Sequence, residues 1–374
     1  MNRLIPFLVL AWAGAAQQKF IYPIPPAGQF TVEKDLTYRK LADRELQFDL
    51  YRPASAPARL PVIIFMDASG AQSQREWAIY TGWAKAATAH GFAAINADTH
   101  TGGAADDFDR LAAYLRQHAS ELHIDPDRIA VYAASGNAFR GLPVIEDQKR
   151  TWIKAAAIYY GAAGIERFRP EIPLFWVRAG LDRPQMNREI DEAAAKAIRQ
   201  NVTVAVVNFA AGHHGFEAID DNDAARDVIE QTFQFFRKSL EPSWRAAFAS
   251  GQALAEAAGA VSSGDYERAA SLYAQSIDEH SSATLRLAYG EALLGAKRYR
   301  DARAQFDRAR LLGGLGPRDL GVPAAMASAL DGDGDAAIVW LKTVPKQFLP
   351  ANLQRDAAFE KLRARADFQS IFRN

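Results

Sequence analysis

The sequence predicts an α/β fold, a mainly parallel sheet covered by helices on both faces, followed by an all-α region. Three observations carry this expectation. From about residue 60 to residue 240, short β-branched and aromatic runs alternate with helical stretches, a pattern that calls for parallel strands joined by helical crossovers. Past Pro242 the chain becomes alanine-rich, with helical period and no strand signal. The 374 residues, 49% of them hydrophobic, suffice for two cores.

The first residues stand apart from the fold. Met1-Asn2-Arg3 is a short positive start, Leu4 to Trp12 is an apolar run too short to span a bilayer, and Ala13-Gly14-Ala15-Ala16 offers small residues for cleavage. The expectation is a secretory signal peptide over 1–16, cut near Ala15 or Ala16. The mature chain is then exported, periplasmic or secreted, with no membrane attachment after removal. A buried N-terminal helix is the competing reading, but Gln17-Gln18-Lys19 and then Pro23, Pro25 and Pro26 read as an extended linker over 17–29. With no cysteine there is no lipoprotein anchor site and no disulfide framework.

The α/β domain is expected over 30–240. Phe30 to Tyr38 and Glu45 to Tyr51 read as an antiparallel opening pair, because Leu46, Phe48 and Leu50 alternate with polar residues. Pro61 to Met66 is the first buried strand, Glu76 to His90 an amphipathic helix, Phe92 to Asp98 a strand and Ala105 to Ala119 a helix. Asp125-Pro126-Asp127-Arg128 supplies a turn that launches the strand Ile129 to Ala134. Lys154 to Tyr160, Pro173 to Ala179 and Val202 to Phe209 complete the sheet, with helices at Asn187 to Gln200 and Asp223 to Leu240. Only Gly161 to Glu171 interrupts the alternation, which leaves little room for a large lid.

Ser135 sits where the apolar run Ile129 to Ala134 breaks into Gly136-Asn137-Ala138. A buried strand turning sharply into a helix lifts a serine Oγ out of the sheet and leaves backbone N–H groups free at the helix start. A serine alone is a weak nucleophile and needs a base and an orienting carboxylate. Asp182 follows the strand Leu174 to Ala179, and His214 follows the strand Val202 to Phe209. Loops beyond the strand C-terminal ends of an open parallel sheet converge on one crevice. The order Ser135, Asp182, His214 is that of the α/β-hydrolase triad.

Several segments resemble one family. Leu122 to Ser135 is similar to the approach to the nucleophile in dienelactone-hydrolase-like and acetyl-esterase-like members of the α/β-hydrolase superfamily. Asp49-Leu50-Tyr51-Arg52-Pro53 and Leu60 to Phe65 resemble the start of the same fold, and His214-Gly215-Phe216 resembles the catalytic histidine segment. The resemblance covers about residues 30 to 240 and implies a serine esterase. By the same resemblance His214 is the base and His213 a pocket neighbour. Two departures stand out. The family's Gly-x-Ser-x-Gly elbow is here Ala133-Ala134-Ser135-Gly136-Asn137, so Asn137 either crowds the turn or faces the pocket as a hydrogen-bond donor. Where many esterases carry His-Gly-Gly-Gly, this chain has Asp67-Ala68-Ser69-Gly70. The oxyanion donors expected are the backbone N–H of Gly136 and that of Ala68 or Ser69.

Each residue also has a bland reading. Ser135 can be a small residue at a tight junction, Asp182 a loop-end turn residue and His214 a helix starter. Their order as a triplet favours the catalytic reading. His90, His100, His118, His123 and His280 are scattered without metal-ligand spacing, so no metal is expected. Asp106, Asp107 and Asp109 read as the acidic first turn of a helix. Gly102-Gly103 lacks phosphate-loop spacing, and no cofactor is expected. With 44 basic and 44 acidic residues the net charge is zero, which gives a nucleic-acid partner little support.

In residues 243–374, Tyr266, Ala269 and Tyr273 recur as Tyr299, Ala302 and Phe306, and the last two again as Ala336 and Trp340. The offsets suit tetratricopeptide-like helical hairpins, with an irregular bundle as the alternative. Asp356 to Phe372 is expected to cap the stack. Such hairpins bind a peptide or partner protein, or brace the neighbouring domain. The function expected is thus an exported serine hydrolase of small carboxylic esters. The alternatives are a catalytically impaired scaffold whose helices bind a partner, and a peptidase of the same fold.

Overall fold

The protein is described from a computed structural model, in which the described residues are 19–55, 59–67 and 73–373. The expected signal peptide lies outside them. The chain divides into two compact units, 1–245 and 246–374.

Among the described residues the first unit has eight strands: β1 (Phe30–Lys40), β2 (Glu45–Pro53), β3 (Leu60–Phe65), β4 (Ala93–Ala97), β5 (Ile124–Ala134), β6 (Ile153–Tyr159), β7 (Leu174–Ala179) and β8 (Val204–Phe209). They form one sheet in the order β1-β2-β4-β3-β5-β6-β7-β8. β1 and β2 are antiparallel, β2 runs antiparallel to β4, and every pairing from β4 to β8 is parallel. The fold class read from the sequence is the one observed.

Strand period 2 divides the core between the two faces. Ile64, Met66, Val131 and Ala133 meet Phe108, Leu111 and Leu115 of α2 (Ala104–Gln117), Leu142 and Ile145 of α3 (Gly136–Ile145), and Ile190 of α4 (Pro184–Arg199). On the other face Ile63, Phe65, Ala130 and Tyr132 meet Trp83 of α1 (Ala78–Ala89) and Ile229 and Phe233 of α6 (Asp223–Ser239). A four-residue turn, α5 (Phe216–Ile219), precedes α6.

β5 starts earlier than the apolar run suggests. Leu60 pairs with Ile124 but Val62 pairs with Ile129, so Asp125 to Arg128 bulge out of register. Pro126 has no N–H to give to a ladder and is tolerated only at such an irregularity. The connection from β6 to β7, residues 160–173, carries no helix.

The second unit comprises the rest of α7 (Pro242–Ser262), then α8 (Tyr266–Ser276), α9 (Ala283–Gly295), α10 (Tyr299–Leu312), α11 (Pro317–Leu330), α12 (Gly334–Thr343) and α13 (Ala366–Phe372). One turn recurs before α8, α10 and α12. Gly264, Lys297 and Gly332 have φ of 80°, 60° and 92°. The next residue in each case, Asp265, Arg298 or Asp333, donates its N–H 2.9 Å to the carbonyl five back, at Ala260, Leu293 or Ser328. That is the closing bond of a helix C-cap.

Counted from these turns, Ala269 and Tyr273 correspond to Ala302 and Phe306, and then to Ala337 and Leu341, all six buried. The third pair expected from the sequence, Ala336 and Trp340, is therefore off by one. Both stay half-buried, and Trp340 lies under the Arg310 guanidinium at 4.9 Å. At the end of the chain Phe359 and Leu362, in a 3-10 turn (Ala357–Leu362), and Phe368 and Ile371, in α13, are buried.

Candidate active site

Ser135 links β5 to α3 with φ 55° and ψ −125°. A residue bearing a Cβ pays roughly 1–3 kcal/mol for such a conformation and keeps it only where its surroundings enforce it. Here the Ser135 N–H donates to Tyr159 O at 2.9 Å, and Ser135 O accepts from Ala138 N at 3.0 Å. Gly161 closes over the turn: a Cβ there would stand 2.6 Å from Ala138 Cβ and 2.8 Å from Ser135 O. Gly136, the first residue of α3, is exposed, and its N–H has no acceptor within the helix.

Backbone bonds between the ends of β7 and β8 bring the other two loops together. Gly180 N–H donates to Phe209 O at 2.8 Å, and Leu181 N–H donates to Gly212 O at 2.9 Å. Asp182 and His214 thereby meet, with Nδ1 of the imidazole 2.6 Å from Asp182 Oδ2. Nε2 lies 2.7 Å from Ser135 Oγ. An ionised carboxylate only accepts, so Nδ1 carries the proton and Nε2 of the neutral ring accepts from the serine hydroxyl. Burial pushes the Asp182 carboxyl up. The hydrogen bond and charge of His214, with the Arg183 N–H 2.7 Å from Oδ1, outweigh it and hold the carboxyl below its usual range.

Glu217 carries no signal in the sequence, yet it is joined to the His214 surroundings through Tyr160. Its buried Oε1 accepts from Tyr132 OH at 2.9 Å and from Tyr160 OH. Burial raises its carboxyl above the usual range, against the pull of those phenols. The Tyr160 ring stands 4.5 Å from the His214 ring, centroid to centroid.

The remaining expected residues lie elsewhere. Asn137 is buried, and its Nδ2 donates to Gln74 Oε1 at 2.9 Å and to Tyr80 OH at 2.8 Å. It ties α3 to α1, and both amide hydrogens are taken, so it is not an extra donor to a pocket. His213 bonds Asp220 through its backbone N–H and Nδ1, both at 2.8 Å, and braces the turn around α5. Ala68 and Ser69 lie outside the described residues. Asp107 is not simple first-turn decoration. It is fully buried between Arg39 and His100, at 2.5 and 2.7 Å. Asp109 pairs with Arg150 at 2.9 Å. Among the described residues no group of three or more His, Asp or Glu is placed to hold a metal ion.

An imidazole between a hydroxyl and a carboxylate can take the hydroxyl proton and return it to a leaving group. No family model matches the chain, and no curated protein does. Solved structures similar to it include a bacterial heroin esterase, at 15% identity and TM-score 0.48 over 61% of this chain and 88% of that one. An esterase from Rhizomucor miehei is similar at 16% identity and TM-score 0.49, over 61% and 87%. Esterase LipW from Mycobacterium marinum is similar at 14% and 0.48, over 58% and 84%. These likenesses all fall short of a TM-score of one half, and nothing about this chain's chemistry follows from them.

Proposed function

We propose that the protein is a serine hydrolase of carboxylic esters, with Ser135 as nucleophile, His214 as general base and then acid, and Asp182 as the group that fixes the imidazole tautomer. The supporting observation is the unbroken chain from Ser135 Oγ through both nitrogens of His214 to Asp182 Oδ2, at 2.7 and 2.6 Å. Ser135 Oγ bonds to the ester carbonyl carbon while its proton passes to Nε2. The oxyanion is met by the N–H of Gly136, with Ala68 or Ser69 as the second donor. Collapse breaks the bond to the alcohol oxygen, which takes the proton from Nε2 and leaves the acyl group on Ser135. Water, deprotonated by the same nitrogen, then releases the acid.

Esters are preferred to peptides because the 122–135 and 214–216 segments resemble esterases. Export to the periplasm or medium is supported by the apolar run 4–12 and the small residues after it. The turn recurring at Gly264, Lys297 and Gly332 supports tetratricopeptide-like hairpins that take a protein or peptide partner. The test is turnover of short-chain p-nitrophenyl esters. Wild-type protein is expected to hydrolyse them, and Ser135→Ala to lose about 10⁶ in kcat. Equal rates for the two proteins would exclude Ser135 as nucleophile.

A further inference from the structure

Parallel strands are ordinarily joined by a helical crossover that covers the sheet, but residues 160–173 run from β6 to β7 without one. The gap leaves a cleft of about 370 Å³ between α3 and α4. Both helices begin at the proposed site: α3 immediately after Ser135, and α4 two residues after Asp182. Gly161, which packs on Ser135 O, leads directly into the cleft wall.

The cleft is apolar near the serine. Phe139 and Ala162 line it there, while Ile165 and Phe168 line it farther along, where the Phe168 N–H donates to Gln200 Oε1 at 2.7 Å. Phe139 N–H donates to Ser135 O at 3.2 Å, one helical turn from the nucleophile, and its ring is 64% exposed. Leu181, next to Asp182 in the chain, is 57% exposed.

Farther along, the wall is acidic. Glu189, Glu192 and Lys196 of α4 face the cleft. Lys196 Nζ already stands 3.5 Å from Glu166 Oε2, and Glu189 Oε1 accepts from Gln185 at 2.7 Å. Among the described residues Glu192 has no ion pair. Two glutamates and one lysine face the cleft from α4, so this wall carries a net negative charge.

We propose that this cleft seats the non-reacting arm of the substrate, an aryl or medium-length alkyl group that ends in a positive charge. The apolar part lies against Phe139 and the cation reaches Glu189 and Glu192. A cleft of this size suits such an arm and is far larger than an acetyl group requires. The inference rests on the serine-esterase reading, and the test separates the two.

The experiment compares kcat/KM for acetyl esters with esters whose arm, placed once on the acyl side and once on the alcohol side, is a neutral phenylalkyl group, its ammonium isostere or its carboxylate isostere. The expected order is cationic above neutral above anionic, by about two- to fivefold per step at low ionic strength and less at high salt. Phe139→Ala lowers the ratio of neutral-arm to acetyl turnover about tenfold. Glu189→Gln with Glu192→Gln brings the cationic-to-neutral ratio towards one. All three side chains reach solvent, so these replacements leave the core intact. Wild-type protein that hydrolyses acetyl esters yet shows no arm or charge preference, or whose ratios survive both changes, overturns the cleft proposal alone. Wild-type protein that hydrolyses no ester in the series overturns the esterase reading and this inference with it.

Discussion

His214 Nδ1 lies 2.6 Å from Asp182 Oδ2, and the Asp182 side chain is only 2% exposed. The pair fixes which imidazole nitrogen is free to face Ser135. Because His214 holds the carboxyl below its usual range, it stays ionised wherever an imidazole titrates. Asp182→Asn keeps the shape but offers an amide that can present a donor to Nδ1. The expected result is a fall of about 10⁴ in kcat with little change in melting temperature. A tenfold fall or less would remove Asp182 from its assigned role.

Gly161 is required by contact, since a methyl group there meets Ala138 Cβ at 2.6 Å and Ser135 O at 2.8 Å. Gly161→Ala is expected to destabilise the first unit by about 1–3 kcal/mol and to lower kcat by disturbing the serine turn. Gly164→Ala is the control, with nothing within 4 Å of its Cβ. Equal melting temperatures and rates for the two variants would contradict this.

Burial pushes the Glu146 carboxyl up to about 7, against the pull of the Arg169 N–H and guanidinium. Its folded value thus exceeds the ordinary 4.5. The associated stability is full below that ordinary value and is lost as pH rises through about 7. The whole effect is on the order of 3 kcal/mol. Urea unfolding at pH 5 and pH 8 is expected to show a larger loss for wild-type protein than for Glu146→Gln. Parallel losses would show that Glu146 does not titrate in this window.

The register of the third hairpin is testable in the same way. Ala337 is fully buried whereas Ala336 is half-buried. Ala337→Leu is expected to destabilise the second unit by about 1–3 kcal/mol, and Ala336→Leu to change it by less than about 0.5 kcal/mol. The reverse order would restore the register read from the sequence.

What was legible depended on locality. The strand before Ser135 is readable because Ile129 to Ala134 is apolar throughout, and the strands before Asp182 and His214 because each holds a four-residue apolar run, Leu174 to Val177 and Val204 to Val207. Partners supplied from far along the chain are not. Asn137 meets Gln74 and Tyr80, and Glu217 meets Tyr132 and Tyr160. No periodicity encodes a contact between residues 57 or 85 positions apart. The bulge at Asp125 to Arg128 looked like a turn because aspartate and proline serve both. The third hairpin slipped by one because alanines stand at both 336 and 337, and only the turn at Gly332 sets the count.

The most direct measurement is covalent capture by a fluorophosphonate probe, followed by peptide mapping. Wild-type protein is expected to carry one adduct on Ser135, with labelling abolished in Ser135→Ala and slowed at least a hundredfold in His214→Ala. An adduct on another residue, or folded wild-type protein that takes no label, would contradict the proposed chemistry.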